Sequence, residues 1–235
     1  LLLSIFAGLA SGVLIGAIGF EMIPQALERA GLLATCVAIG FGVAVVYAFD
    51  LYVNRGAMAG PQADQHRKVL AFHRRHKPRG SEVTVLAGAT SAEELIEGVV
   101  IGVSAAISGG MGLVVGLAIA FDNISEALTI GTMIREGRDT TPGKTAEGKA
   151  GNWKVLGWTG LIGLSLAVSA LAGWFLLRGL PPFWLGALSG LGAGAILYLT
   201  VSDLLPEAEM HQYRHSGAIA ACFGLVAMLV LTELT

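Results

Sequence analysis

The sequence predicts an all-α, polytopic transmembrane helical bundle, and three observations carry that expectation. Hydrophobic residues make up 54% of the chain and charged residues only 14%, with a positive mean hydropathy. That is too apolar for an ordinary soluble domain. Seven stretches reach the ~20 mainly apolar residues that a helix needs to cross a bilayer. Glycine supplies 33 of 235 residues, about twice the ordinary ~7%, as expected where membrane helices approach closely through small residues. The environment implied is membrane lipid, and a net charge of -2 gives no reason to expect a nucleic-acid partner.

The seven stretches lie near 1–27, 31–54, 82–108, 111–135, 153–178, 180–206 and 215–235. The first lacks a basic leading region and a small-x-small cleavage site, so it reads as a span and not a signal peptide. Cys36 and Cys222 each fall inside a span and read as small packing residues, not as a disulfide or metal pair. Two polar connections interrupt the pattern: 55–81, basic and containing His66, His73 and His76, and 136–152, rich in Gly, Thr and charge. Excess Lys and Arg mark cytoplasmic loops. With 55–81 inside, strict alternation puts every basic residue inside except Arg29 and Arg178, and leaves the C-terminus outside. The expected location is a multi-pass protein of the cell membrane (plasma or inner), forming one transmembrane domain over 1–235 with two cytoplasmic loops. The 55–81 loop reads as a solvated basic segment, because no tight His-x-His spacing occurs in it.

The third and fourth spans form a hairpin around Ser108–Met111, and they carry five carboxylates near their middles. Glu93 and Glu97 are four residues apart, as are Asp122 and Glu126, so each pair stands on one helix face. Glu97 lies 12 residues before Gly109 and Asp122 lies 12 residues after Gly110, which places both sets at one depth close to the bilayer midplane. An ionised carboxylate there costs about 2.5 to 3.5 kcal/mol on insertion scales. Glu93, Glu94, Glu97, Asp122 and Glu126 together need compensation, and no Lys or Arg lies in the apolar body of any span. Bound cations, protons or a water-filled cavity would supply it, and each points to a transport path. Asn123 adds an amide on an adjoining face.

The first span superposes on the sixth with an offset of 182 residues. Gly8 falls on Gly190, Gly12 on Gly194, Glu21 on Asp203 and Pro24 on Pro206. Since the two spans run in opposite directions, the pattern predicts inverted repeats around the central helix pair. It also predicts an eighth helix upstream of Leu1. Each repeat carries an acidic residue three positions before a proline that can bend its helix. Glu21 is expected near the outer mouth, and Asp203 with Glu207 near the inner one, with His211 beyond. Asp50, Glu82 and Glu233 lie at span ends and read as interfacial charges.

These motifs resemble those of the ZIP (Zrt/Irt-like) family of divalent metal transporters over nearly the whole chain. Glu93-Glu94-Leu95-Ile96-Glu97-Gly98 resembles the family's fourth-helix H-N-x-P-E-G. Asp122-Asn123-Ile124-Ser125-Glu126-Ala127 resembles the fifth-helix motif, and Ser202-Asp203-Leu204-Leu205-Pro206-Glu207 the seventh-helix H-E-x-x-P-E. Phe20 to Gln25 is similar to the polar, proline-containing end of the second helix. The resemblance implies eight helices with both ends outside, a homodimer, and a metal site on the central helices. Here Glu93 stands where the family has a histidine, Asp122 replaces His or Gln, and Ile96 and Ser125 replace both prolines. Gly157 to Gly163 also lacks the sixth-helix acidic residue that often completes a second metal position.

Oxygen ligands suit harder cations than imidazole or thiolate do. The expected cargo is therefore Mn or Fe in preference to Zn, with Cd a further candidate. The metal residues expected are Glu93, Glu94, Glu97, Asp122, Asn123 and Glu126 at the centre, with Glu21, Asp203 and Glu207 along the path. The chain is not expected to be an enzyme: neither a G-x-G-D nor an H-E-x-x-H motif is present. A membrane metal sensor, a scaffold or a cation channel would use the same carboxylates without carrier behaviour.

Overall fold

The computed structural model describes residues 2–49, 82–135, 149–209 and 214–234, and these residues are helical almost throughout. Seven helices follow one another: α1 (Leu2–Ala30), α2 (Leu32–Phe49), α3 (Glu82–Ile107), α4 (Gly109–Arg135), α5 (Lys149–Leu177), α6 (Pro182–Ala208) and α7 (Arg214–Leu234). The 55–81 connection expected from sequence, residues 136–148 of the expected 136–152 connection, Asp50 and His211 lie outside the described residues, while residues 149–152 begin α5.

Among the described residues, six of the seven helices are long and apolar enough to cross a membrane, which marks the chain as a multi-pass membrane protein. The sequence led us to expect seven. The exception is α3, whose 26 residues would reach about 39 Å. Length is not its shortfall: Glu93, Glu94 and Glu97 interrupt its apolar run. The helix that fails on composition is thus the one that carries three of the carboxylates, and it packs against α4, α5 and α6.

The turns follow from local chemistry. Gly31 takes a positive φ of 78° and lets α1 reverse into α2, a conformation that costs other residues a Cβ clash. A single residue, Ser108, separates α3 from α4. Its hydroxyl accepts the Met111 N–H at 3.0 Å, capping the start of α4, and α4 folds back tightly enough that Gly112 abuts Ala105. The α3–α4 hairpin expected from the Gly109-Gly110 turn is therefore present.

Two helices contain a wide turn. In α1 residues Ala17–Met22 are π-helical, and in α6 residues Thr200–Leu204 are. The Ile23 N–H bonds to the Ile18 carbonyl, and the Leu205 N–H to the Thr200 carbonyl. Each turn ends two residues before a proline, Pro24 or Pro206. Proline has no N–H to donate and its ring crowds the carbonyl four residues back. Shifting the preceding bonds to the five-residue spacing opens that turn without breaking the helix.

Packing runs through small residues. Helix α1 lies along α7, and α2 along α6. A Cβ on Gly12 would strike the Ala221 carbonyl, and one on Gly194 the Ile39 carbonyl. These backbones touch directly, the close van der Waals packing by which helices associate in lipid. Between the helix pairs sits an apolar core that includes Leu14, Ile18, Met22, Met111, Val114, Val115, Ala118 and Ile119. Cys36 and Cys222 are exposed free thiols, so they are not the packing residues expected from the sequence. Both are on outward faces of their helices.

Candidate cation site

The acidic residues of α3 and α4 come together beside α6. Glu93, Glu94, Glu97 and Asp122 are 7%, 1%, 2% and 5% exposed, and Glu126 is half-buried on the same α4 face region. Glu97 lies within electrostatic reach of Asp122, Glu94 and Glu93. Glu126 is likewise coupled to Glu93, Asp122, Glu94 and Glu97. The amide of Asn123 donates to Glu94 Oε2 at 3.5 Å, a long contact that ties α4 to α3. Asn123 Oδ1, Glu97 Oε1 and Glu126 Oε2 are buried without a hydrogen-bond partner. A buried acceptor in that condition is costly, most of all a carboxylate oxygen.

Positioning comes from α5. Ser169 donates its hydroxyl to the backbone carbonyl of Glu94 at 3.2 Å. Gly98 seats its backbone on Ser169 and Leu166, and Gly102 on Ala170 and Gly173. Small residues one turn apart on α3 thus let α5 press close to the backbone that carries the glutamates, while the Asn123 contact ties the Glu94 side chain to α4. A cavity of about 90 Å³ opens between Asn123, Glu126 and Ala127 of α4 and Thr159, Ile162 and Gly163 of α5. It could hold an ion or a few waters beside Glu126.

Asp203 and Glu207 extend the group on the side away from the hairpin turn. Asp122 is within electrostatic reach of both. Thr129, two turns beyond Asp122 on α4, donates to Glu207 Oε1 at 3.0 Å. The two α6 acids, expected at a separate inner mouth, are continuous with the central carboxylates. Glu21 stands apart: it is half-buried on the wide turn of α1, and among the described residues burial alone shapes its setting. The two faces of the centre differ. Toward the hairpin turn lie Met111, Val114, Val115 and Ala118, all buried; away from it lie Ser125, Thr129, Asp203 and Glu207.

Two side chains in this arrangement were not singled out from sequence, Ser169 and Thr129. Thr129 was legible, being seven residues from Asp122 and so on the same helix face. Ser169 was not, because nothing in an apolar span says which of its several serines meets α3. The Lys and Arg residues within the described segments, Arg29, Arg135, Lys149, Lys154, Arg178 and Arg214, all fall near helix ends. Among the described residues no three His, Cys, Asp or Glu side chains are drawn together as a ready-made metal cage. The carboxylates are electrostatic neighbours at longer range.

Neither a comparison with protein-family models nor one with curated proteins finds a match to this chain.

Proposed function

We propose that the chain is a divalent-cation transporter of ZIP-like design, carrying Mn or Fe in preference to Zn or Cd through the carboxylate centre by alternating access. The observation that carries this reading is the meeting of Glu97, Asp122 and Glu126 inside a bundle of membrane-crossing helices, with oxygens of Glu97 and Glu126 left unpartnered. Several buried carboxylates repel one another and have lost their water. A divalent cation is the partner that would relieve both costs, by ligation and by charge. The donors are carboxylate and amide oxygens, with no sulfur or imidazole, which favours the harder cations.

The internal repeat supports a carrier. Contacts between the halves are reciprocal under the 182-residue offset. Gly12 meets Ala221 while Gly194 meets Ile39; Gly42 meets Leu191 and Ala195 while Gly224 meets Leu9 and Val13. The wide turns match as well, since the Ile23–Ile18 bond corresponds to Leu205–Thr200. Such exchange is the signature of a two-fold operator, and with α1 and α6 antiparallel it gives the inverted repeats on which many carriers rock. By the same exchange, the counterpart of α5 is an eighth helix lying against α4, where Leu113, Leu117, Ile124 and Leu128 form an exposed stripe. A cell-membrane location and a homodimer belong to this proposal.

Uptake of Mn²⁺ into liposomes holding the full chain tests it. Glu97→Ala and Glu126→Ala should each lower the initial rate by about a hundredfold, on the order of 2.7 kcal/mol. Undiminished flux in both variants would dispose of the site.

A further inference from the structure

We infer that the hydroxyls of Ser125 and Thr129 form an oxygen-lined step between the central carboxylates and Glu207, along which a hard divalent cation passes from Asp122 to the α6 acids. The inference rests on the transporter reading and adds two oxygens of passage to it, which the cation meets after leaving the binding site and neither of which is a carboxylate.

Three independent features of α4 support the step. First, the spacing is right. Asp122, Ser125 and Thr129 are three and four residues apart, so they stack along one face, about 4.5 Å and then about 6 Å farther along the helix axis. A cation that keeps part of its water shell could exchange one oxygen for the next over such intervals.

Second, Ser125 behaves unlike most helical hydroxyls in this protein. Thr35, Thr129, Thr159, Ser165, Ser169 and Thr200 each have the carbonyl four residues back within donating reach, the usual acceptor for a hydroxyl in an apolar helix. Ser125 is fully buried, at 0% exposure, and its Oγ has no hydrogen-bond partner. An orphaned hydroxyl is expensive where water is scarce, and a passing cation is a partner that its lone pairs can take. Ser104 of α3 shares this condition, but it lies two turns from Glu97 toward the apolar hairpin end.

Third, Thr129 has two acceptors within reach for a single hydroxyl proton: the Ser125 carbonyl at 3.1 Å and Glu207 Oε1 at 3.0 Å. It can donate to only one at a time. When Glu207 takes hold of a cation, the proton can turn to the Ser125 carbonyl, and the Thr129 oxygen then presents its lone pairs to the same ion. The switch keeps one hydrogen bond in each state. Glu207 is thereby held in place when empty and released when loaded.

The test uses the full chain in liposomes, with Mn²⁺ as the probe, and separates passage from binding. Ser125→Ala and Thr129→Val remove the oxygens with little change of volume. Each should lower the maximal Mn²⁺ rate at least fivefold, while equilibrium Mn²⁺ binding to the detergent-solubilised variants stays within twofold of the parent. Thr129→Ser should restore the rate, since it returns the hydroxyl without the methyl. A maximal rate within twofold of the parent in both variants overturns the inference. So does a loss of binding that matches the loss of rate, or a failure of Thr129→Ser to recover, because a structural role would produce either. A parent chain that neither binds nor carries Mn²⁺ refutes the transporter reading itself, which the variant series would show by having no rate to lose.

Discussion

Helices α1 and α6 are built alike and equipped differently. Both bend through a wide turn just before a proline, both rest on a partner helix through glycine, and both place an acid on the wide turn, Glu21 or Asp203. The chemistry diverges one turn later. Gln25 in α1 is an uncharged amide and accepts from Arg29 at 3.4 Å, so it is engaged within its own helix. Its counterpart Glu207 in α6 is acidic and bonds across to Thr129 of α4. Asp203 reaches Asp122 electrostatically, whereas Glu21 has no such neighbour among the described residues. The scaffold is repeated while the charge is not, and the lesson is directional. The acids at the α6 end are continuous with the carboxylate centre, whereas Leu14, Ile18 and Met22 of α1 belong to the apolar core.

If the scaffold is truly common to both helices, damage to matched positions should cost the same. Gly12→Leu and Gly194→Leu each drive a side chain into a backbone carbonyl, of Ala221 and Ile39 respectively. Each should destabilise the detergent-solubilised protein by about 3 kcal/mol, at the upper end of overpacking costs, and lower its Tm by similar amounts. A large difference between the two would break the likeness.

The charge difference predicts unequal effects. Glu207→Gln makes α6 resemble α1 and should lower Mn²⁺ flux about tenfold, or about 1.4 kcal/mol, with Asp203→Asn close behind. Gln25→Glu, the reverse exchange in α1, should change flux less than about twofold, as should Glu21→Gln. Equal losses from Glu21→Gln and Glu207→Gln in the same uptake assay would mean that both ends serve the cation alike.

The smallest effects belong to the prolines. Pro24→Ala and Pro206→Ala restore an N–H and remove the ring clash. Each should shift stability by no more than about 1 kcal/mol, with amide exchange in the preceding turn slowed as its bonds return to the four-residue spacing. Unaltered exchange at both sites would show that the wide turns are held by tertiary packing and not by the prolines.

Much of this was legible in the chain because it depends on neighbours in sequence. Apolar length sets the helices, Ser108-Gly109-Gly110 sets the hairpin, and four-residue spacing sets which carboxylates share a face. The offset that aligns Gly12 with Gly194 was visible for the same reason. One expected span stands apart: α3 was expected to carry Glu93, Glu94 and Glu97 near its middle, and with them it falls short of the apolar composition of the other six, while α4, α5 and α6 pack against it. The two cysteines were misjudged, since apolar context does not distinguish an inward face from an outward one.

By itself, then, the sequence determined the helices, their wide turns' causes, and the acids and their order along each helix, all consequences of local sterics and periodicity. Only the tertiary structure decided which acids meet. That Glu207 reaches Thr129, that Ser169 steadies Glu94, and that Glu21 stands alone depend on how α3, α4 and α6 lie against one another. Those crossings are set by close contacts between small residues far apart in the chain, and such contacts leave no periodic trace in either partner's sequence.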